Sequence, residues 1–524
     1  MAFYSKTITN YCISKGLFGT FLKRFFLLIN QGTVMKLYEI AKTFFLCLWI
    51  ITYTTTIAPV FKYDERLITE EELFDLIAES KKEDECISDT CDADLAEMRS
   101  VNPKKPMTFM VFIAADNDLH YFAWKNIQQM ELVGSNHNIN IVIQISAPGL
   151  QKPTKRFLVK KGKRFLIQDP DGPNKKLNSG SPYTLIDFVD WATSHYPADD
   201  YALVLWNHGT GMLDPIYNRT INPCELFYCN PSDGMLEIDR GISYISLILQ
   251  YAQKEANKQK RGICFDETFK SYLNNQDFEF ALHEICTKVL RGKKLSLLAF
   301  DACLMSMIEI ASIAKKYAHY MVGSQEVEYG TGWNYEYVLR PFLQRPLSPY
   351  ELARHIVSSY ELAYKKITNE YTQSAFDLSV CQELEDNINS VSNLLVETLA
   401  GAHHKQTINI LRKCKSTQYC TCFDEPSYID LGHFYRNLLQ HQQYLNLSDK
   451  TKEKQLQANL QYHLQQGLNI INKFVIANKV GQRLKNAQGV SIYFPEHSVS
   501  HSYLRSSFAI ANNWSTLLAK YILG

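Results

Sequence analysis

Unbroken apolar runs, each about the length of a strand, recur along the chain from about residue 105. Thr108–Ala114, Ile139–Ile145, Tyr201–Trp206 and Leu295–Phe300 are the clearest, and Tyr320–Gly323 is a shorter one. Between them the period changes. Leu119–Leu132, and the stretch opened by Ser181-Pro182 and running through Thr193, carry apolar residues at helical spacing. Strands that are apolar on both faces, alternating with helices, predict an α/β fold with a mostly parallel sheet covered on both sides. Phe157–Val159 and Phe165–Ile167 predict a hairpin-like excursion around Gly162. Further on the pattern predicts helices over Phe278–Leu290, Pro349–Thr368, Gln382–Leu399, Asp449–Asn472 and Trp514–Ile522. Short strands are predicted at Ala375–Leu378, Tyr428–Leu431 and Val490–Phe494.

The first hundred residues break this pattern. Residues 1–61 hold an apolar, uncharged run at 44–61 preceded by Met-Lys-Leu-Tyr-Glu-Ile-Ala-Lys from Met35. A basic start before an apolar middle predicts a secretory signal, with Met35 as an alternative start. An uncleaved membrane anchor over 44–61 is the other reading. Residues 62–104 are charged and poor in aromatics, and predict a spacer or pro-segment with one helix around Glu70–Ser80. The body then divides into an α/β domain over 105–347, with a linker at 212–260, and a C-terminal α/β region over 348–524.

Composition narrows the function classes. A formal net charge of +1 removes any electrostatic case for a nucleic-acid partner. Thirteen cysteines in 524 residues are too sparse for a disulfide scaffold. Cys86 with Cys91, Cys224 with Cys229, and the group Cys414, Cys420 and Cys422 are disulfide candidates if the chain is exported. No Cys-x-x-Cys pair occurs, and His403-His404 and His433 lack ligand spacing, so no metal site is assigned.

The candidate chemistry lies where two apolar strands end. Asp301-Ala302-Cys303 follows Leu295–Phe300, and helical spacing resumes from Leu304. A thiol at a strand-to-helix turn lies near the positive end of a helix dipole, which favours its thiolate. His208 lies two residues beyond Tyr201–Trp206. Ligands bind beyond the carboxyl ends of the strands in parallel sheets, so neighbouring parallel strands would bring Cys303 and His208 to one rim as nucleophile and base. Gly209 bears no side chain, and its N–H with that of Cys303 could form an oxyanion hole. Cys286 reads as a core residue on a helix, and Cys264 has no evident base.

Six stretches resemble the clostripain family of caspase-like cysteine peptidases, in family order. They are Phe112-Ile-Ala-Ala-Asp-Asn-Asp-Leu119, Tyr196 to Gly211 with its Trp-Asn-His-Gly-Thr-Gly ending, Phe300-Asp-Ala-Cys-Leu-Met305, Ser324 to Trp333, Ser374 to Leu378, and Gly489 to Pro495. The resemblance implies a caspase-like sandwich and a Cys303–His208 dyad that cleaves protein or peptide substrates after Arg or Lys through a thioester. It requires no third catalytic residue, and none is named. It places Asp301 in the pocket for the substrate cation, although Asp301 is equally placed to N-cap a following helix. Glu326, Glu328 and Trp333 are further pocket candidates, with solvated loop acids and a core tryptophan as the plain alternatives. Family members are often activated by self-cleavage between the His and Cys blocks, where Lys254, Lys258, Lys260 and Arg261 form a basic run. No cofactor is required, and calcium dependence is left open. A transpeptidase using the same dyad, or a non-catalytic surface protein on the same fold, are the alternatives. Export is expected, with membrane contact only through the N-terminal segment.

Overall fold

The computed structural model describes residues 61–63, 66–68, 103–167, 175–213, 227–230, 235–238 and 263–524. The expected signal or anchor (Phe61 apart), the helix around Glu70–Ser80, Cys86, Cys91, Cys224 and the basic run at Lys254–Arg261 lie outside the described residues. Phe61–Tyr63 and Arg66–Ile68 pair antiparallel.

The body is built on one nine-stranded sheet. Its strands in chain order are β1 (Lys105–Ala114), β2 (Ile139–Ser146), β3 (Lys155–Lys160), β4 (Lys163–Leu166), β5 (Ala198–Trp206), β6 (Leu295–Asp301), β7 (Ala318–Gly323), β8 (Thr372–Asp377) and β9 (Val475–Val480). In space they run β9-β8-β7-β6-β5-β1-β2-β3-β4. The five central strands are mutually parallel. Antiparallel pairs finish both edges. The apolar runs of the sequence are these central strands, and β1 from Met107 onward is buried on both faces.

Side chains alternate between two cores, as the two-residue period of a strand requires. Met110 and Phe112 of β1, with Leu203 and Leu205 of β5, face one layer, and Phe109, Val111, Ala202 and Val204 face the other. Helix α1 (His120–Val133) and helix α5 (Pro349–Tyr364) cover the second face. The first face is covered by α2 (Pro182–His195), α3 (Asn275–Glu284), α4 (Ile308–Ala314), α6 (Cys381–Leu399) and α7 (Lys450–Phe474). Each fully buried Leu, Ile or Phe contributes about 1.5–3 kcal/mol. Local chemistry sets the helix ends. Ser348 and Glu351 form a reciprocal capping box on α5, with Pro349 in the first turn.

The boundary expected at residue 348 does not separate two bodies. β8 and β9 come from the C-terminal region and complete the central sheet, and residues 61–524 form one compact unit. The short edge strand β9 escaped the sequence reading because its residues are only half-buried. The helices His404–Lys415 and Leu431–His441 were also not predicted.

Candidate active site

β5 and β6 are adjacent and parallel, with Trp206 opposite Asp301, so the segments after them leave the sheet side by side. Asn207 ties the rim together. Its backbone N–H donates to Asp301 O at 3.2 Å, and its amide bonds Ala114 O at the end of β1. Phe265 N donates to Asn207 Oδ1 at 3.0 Å, which fixes the strand Ile263–Asp266 beside the rim. His208 then packs edge-on against the Phe265 ring, with centroids 6.0 Å apart.

The glycines after His208 are there because two backbones touch. A Cβ on Gly209 would fall 2.5 Å from Cys303 O, and one on Gly211 would fall 2.6 Å from Leu304 O. Gly211 also has φ of +60°, a conformation that suits glycine. The residue after His208 is thus in backbone contact with Cys303. The sequence argument for Gly209 rested on a free N–H; the geometry adds the close approach as a second reason.

The expected strand-to-helix turn at Cys303 is corrected. α4 begins at Ile308, with Met307 as its N-cap, so Cys303 stands five residues before the helix and outside its dipole. Leu304 instead adopts φ of +63°, a left-handed conformation that is costly for a branched side chain. Leu304 is fully buried and its N–H donates to Glu326 O at 3.2 Å, which holds the turn. Asp301 likewise caps no helix.

Asp301 sits in a buried acidic cluster with Glu328. Its carboxylate accepts from Trp333 N at 3.1 and 3.2 Å and from Tyr335 Oη at 2.9 Å, and it faces the Glu328 carboxyl. Burial pushes Asp301 up to about 6, against the pull of the Tyr335 and Trp333 donors. Burial, and then the neighbouring Asp301, raise Glu328 well above the usual carboxyl range. Each acid therefore disfavours the charged form of the other. With its amide turned to satisfy its neighbours, Gln373 donates to Glu328 Oε1 at 3.0 Å and accepts from Trp333 Nε1 at 3.2 Å. No described cation pairs with Asp301 or Glu328.

Glu328 also fixes the thiol. Its N–H donates to Cys303 Sγ at 3.2 Å, and the thiol lies 3.8 Å from Glu328 O as a donor. Cys303 is buried, and burial raises its pKa; the acids Glu328, Asp424 and Glu326 add to the rise. A thiol so placed needs a base to become the thiolate nucleophile. Glu326 and Glu328 are buried, not solvated loop acids. Glu326 does not join the acidic pair: its Oε1 accepts from Val327 N and Asp424 N, both at 2.9 Å. Trp333 is fully buried and supplies a backbone donor to Asp301.

Two contributions come from residues the sequence reading had left outside the site. Tyr428 Oη donates to Thr210 O and accepts from Leu213 N, each at 2.6 Å, so it clamps the segment after His208. Ser491 N–H donates to Ser306 O at 2.9 Å and clamps the segment after Cys303. Tyr428 has no local sequence signal, and Ser491 lies in the family-like stretch Gly489–Pro495 without pointing to this contact. Asp118 lies with Oδ1 2.7 Å from His208 Nε2. Its position inside the conspicuous Asp116-Asn117-Asp118 turn was the available clue. Cys264, Cys286, Cys303, Cys381, Cys414, Cys420 and Cys422 are free thiols.

The sequence profile of the clostripain family (Peptidase C11) matches residues 111–224 and 250–520, both segments that carry the site. The chain belongs to the clostripain family. It is 23% identical over 276 residues to clostripain of Hathewaya histolytica, a match covering 47% of this chain and 45% of that protein. The matched region thus spans about half the length of that curated relative. Among solved structures, it resembles an inactive zymogen C11 protease from Parabacteroides distasonis, at 18% identity and a TM-score of 0.50, over 78% of this chain and 98% of that one. It also resembles a secreted C11 cysteine protease from Bacteroides thetaiotaomicron, at 14% identity and a TM-score of 0.50, over 78% of this chain and 100% of that one. The fold is therefore the caspase-like α/β sandwich of clostripain-family enzymes. Among the described residues, no helix is long and apolar enough to cross a membrane.

Proposed function

We propose that this chain is a cysteine endopeptidase that hydrolyses peptide bonds after Arg or Lys, with Cys303 as nucleophile and His208 as base. The observation that carries the reading is the buried Asp301–Glu328 pair beside the Cys303 turn, with no described cation on either acid. A buried carboxylate is costly unless paired. An Arg or Lys side chain reaching this pair would supply the missing countercharge to both acids. Bonding of the Glu328 backbone to the Cys303 thiol joins this pocket to the reacting atom.

In the proposed reaction, His208 takes the Cys303 proton and the thiolate attacks the carbonyl that follows the bound Arg or Lys. Charge develops on the carbonyl oxygen, where the N–H groups of Gly209 and Cys303 serve as donors. The imidazolium returns its proton to the departing amine, which leaves Cys303 as a thioester. Water, deprotonated by His208, then releases the acid and restores the thiol. The steps use the thiol, the imidazole and water alone, and no resident cofactor enters them.

Two further parts belong to the proposal. Self-cleavage within Lys254–Arg261 is supported by the basic run itself and by the zymogen form of the P. distasonis neighbour. Export is supported by the apolar segment at 44–61 and by the secreted B. thetaiotaomicron neighbour. Cleavage profiling on a peptide library tests the central reading. The expected result is cleavage after Arg and Lys by the wild type and none by Cys303→Ala. Equal cleavage by both proteins, or no preference for a basic residue, refutes it. Addition of an amine, with products read by mass spectrometry, distinguishes hydrolysis from transpeptidation.

A further inference from the structure

The Asp116-Asn117-Asp118 turn closes β1, and two of its three side chains have structural work. Asp116 forms a buried ion pair with Lys176 at 2.7 Å. Asn117 donates to Ala114 O at 2.8 Å and to Phe265 O at 3.1 Å, which fastens the turn to the rim. Asp118 is different. It reaches 90 positions along the chain to the imidazole of His208, 2.7 Å from Nε2. The two side chains are only 10% and 11% exposed, and Asp118 Oδ2 is buried without a hydrogen-bond partner.

We propose that Asp118 is the positioning residue of the dyad: its carboxylate orients His208 and fixes the tautomer in which Nδ1 takes the Cys303 proton. This rests on the Cys303–His208 reading above. An ionised carboxylate only accepts hydrogen bonds. Nε2 must therefore carry its hydrogen, and the lone pair of the neutral ring lies on Nδ1. The nitrogen bonded to a partner sets the role of the other one. When the Cys303 proton moves to Nδ1, the ring becomes a cation 2.7 Å from the Asp118 carboxylate, which stabilises it. When Nδ1 gives the proton to the departing amine, the original tautomer returns. The proton count is unchanged over the cycle.

The backbone context makes the assignment testable. The fixed turn of Asn117 and the packing of Gly209 on Cys303 O hold the two ends of the arrangement without Asp118. Asp118→Asn keeps the size and can still hydrogen-bond the ring, but its amide can donate to Nε2 and so favour the opposite tautomer. Turnover of an Arg-terminated peptide substrate by the full chain is measured for wild type, Asp118→Asn, Asp118→Glu and Cys303→Ala. General-base catalysis contributes about 10²–10⁴-fold. The expected result is a loss of about 10²-fold or more in kcat for Asp118→Asn, with KM within about threefold and an unchanged thermal midpoint. Asp118→Glu should recover a measurable part of kcat, since it restores the carboxylate. A kcat for Asp118→Asn equal to or above that of the wild type would overturn the proposal. The latter result would identify the contact as a restraint on His208. Equal losses in the Asn and Glu variants with a lowered thermal midpoint would also overturn it in favour of a structural role. If Cys303→Ala stays active, the dyad reading itself fails, and the two failures are told apart.

Discussion

Replacing Asp301 by Asn tests the pocket with little change of shape. Asp301 is fully buried, and its two oxygens hold Trp333 N and Tyr335 Oη. An Asn oxygen can keep the Tyr335 bond, and the amide can donate to Glu328. The loss to the free protein is then on the order of one hydrogen bond, about 1 kcal/mol. The loss to a bound cation is larger. Removing one partner of a buried, hydrogen-bonded charge pair costs about 2–5 kcal/mol. Glu328 remains and can ionise against the cation, so the lower end applies. That is about 2 kcal/mol, or roughly 30-fold in kcat/KM. The assay compares matched peptides with Arg, Lys or Gln before the scissile bond, for wild type and Asp301→Asn. A roughly 30-fold loss on Arg and Lys peptides, with about threefold or less on Gln, is expected. The pH profile adds a sign. Asp301 is pushed up to about 6, so the wild type should gain activity on cationic peptides as pH rises through 6, and the variant should lack that step. Unchanged kcat/KM on Arg and Lys peptides in the variant would refute the reasoning.

Three further outcomes follow from named contacts. Tyr428→Phe removes two buried 2.6 Å bonds to the segment after His208 and should cost about 1–3 kcal/mol in denaturant unfolding, with kcat falling more than KM changes. Gly209→Ala places a methyl 2.5 Å from Cys303 O and should abolish peptidase activity, whereas an active Gly209→Ala enzyme would contradict the backbone contact. Glu309 is fully buried, accepts from Tyr493 N at 2.9 Å and is pushed up to about 8 by burial. Its folded value lies above its unfolded value of 4.5, so the protonated group's contribution is full below about 4.5 and is lost as pH rises through about 8. The thermal midpoint should fall over that window, and Glu309→Gln, which cannot ionise, should show a shallower fall.

The central sheet was legible because its strands are apolar on both faces, and such runs leave no other placement. The same logic located the rim: residues just beyond Trp206 and Asp301 had to emerge together once β5 and β6 were neighbours. β9 was missed because a half-buried edge strand carries a weak apolar signal. The Cys303 turn was misjudged because apolar residues from Leu304 onward match a helix period, yet they are buried from several sides in a turn stabilised by the left-handed Leu304. Glu326 and Glu328 looked like solvated acids because sequence gives charge without burial. Asp118 and Tyr428 act across 90 and 218 positions; the Asp116-Asn117-Asp118 turn marked Asp118 as a candidate but not its partner, and nothing local marked Tyr428.

The most direct test of the account is covalent labelling. The full chain is treated with a cysteine-reactive ketone carrying an Arg side chain at the position before the scissile bond, and the site of attachment is mapped by peptide mass spectrometry. The account predicts a single adduct on Cys303, lost in His208→Ala and weakened by Asp301→Asn. Attachment to another cysteine, or peptide cleavage that persists while Cys303 stays unlabelled, would contradict it.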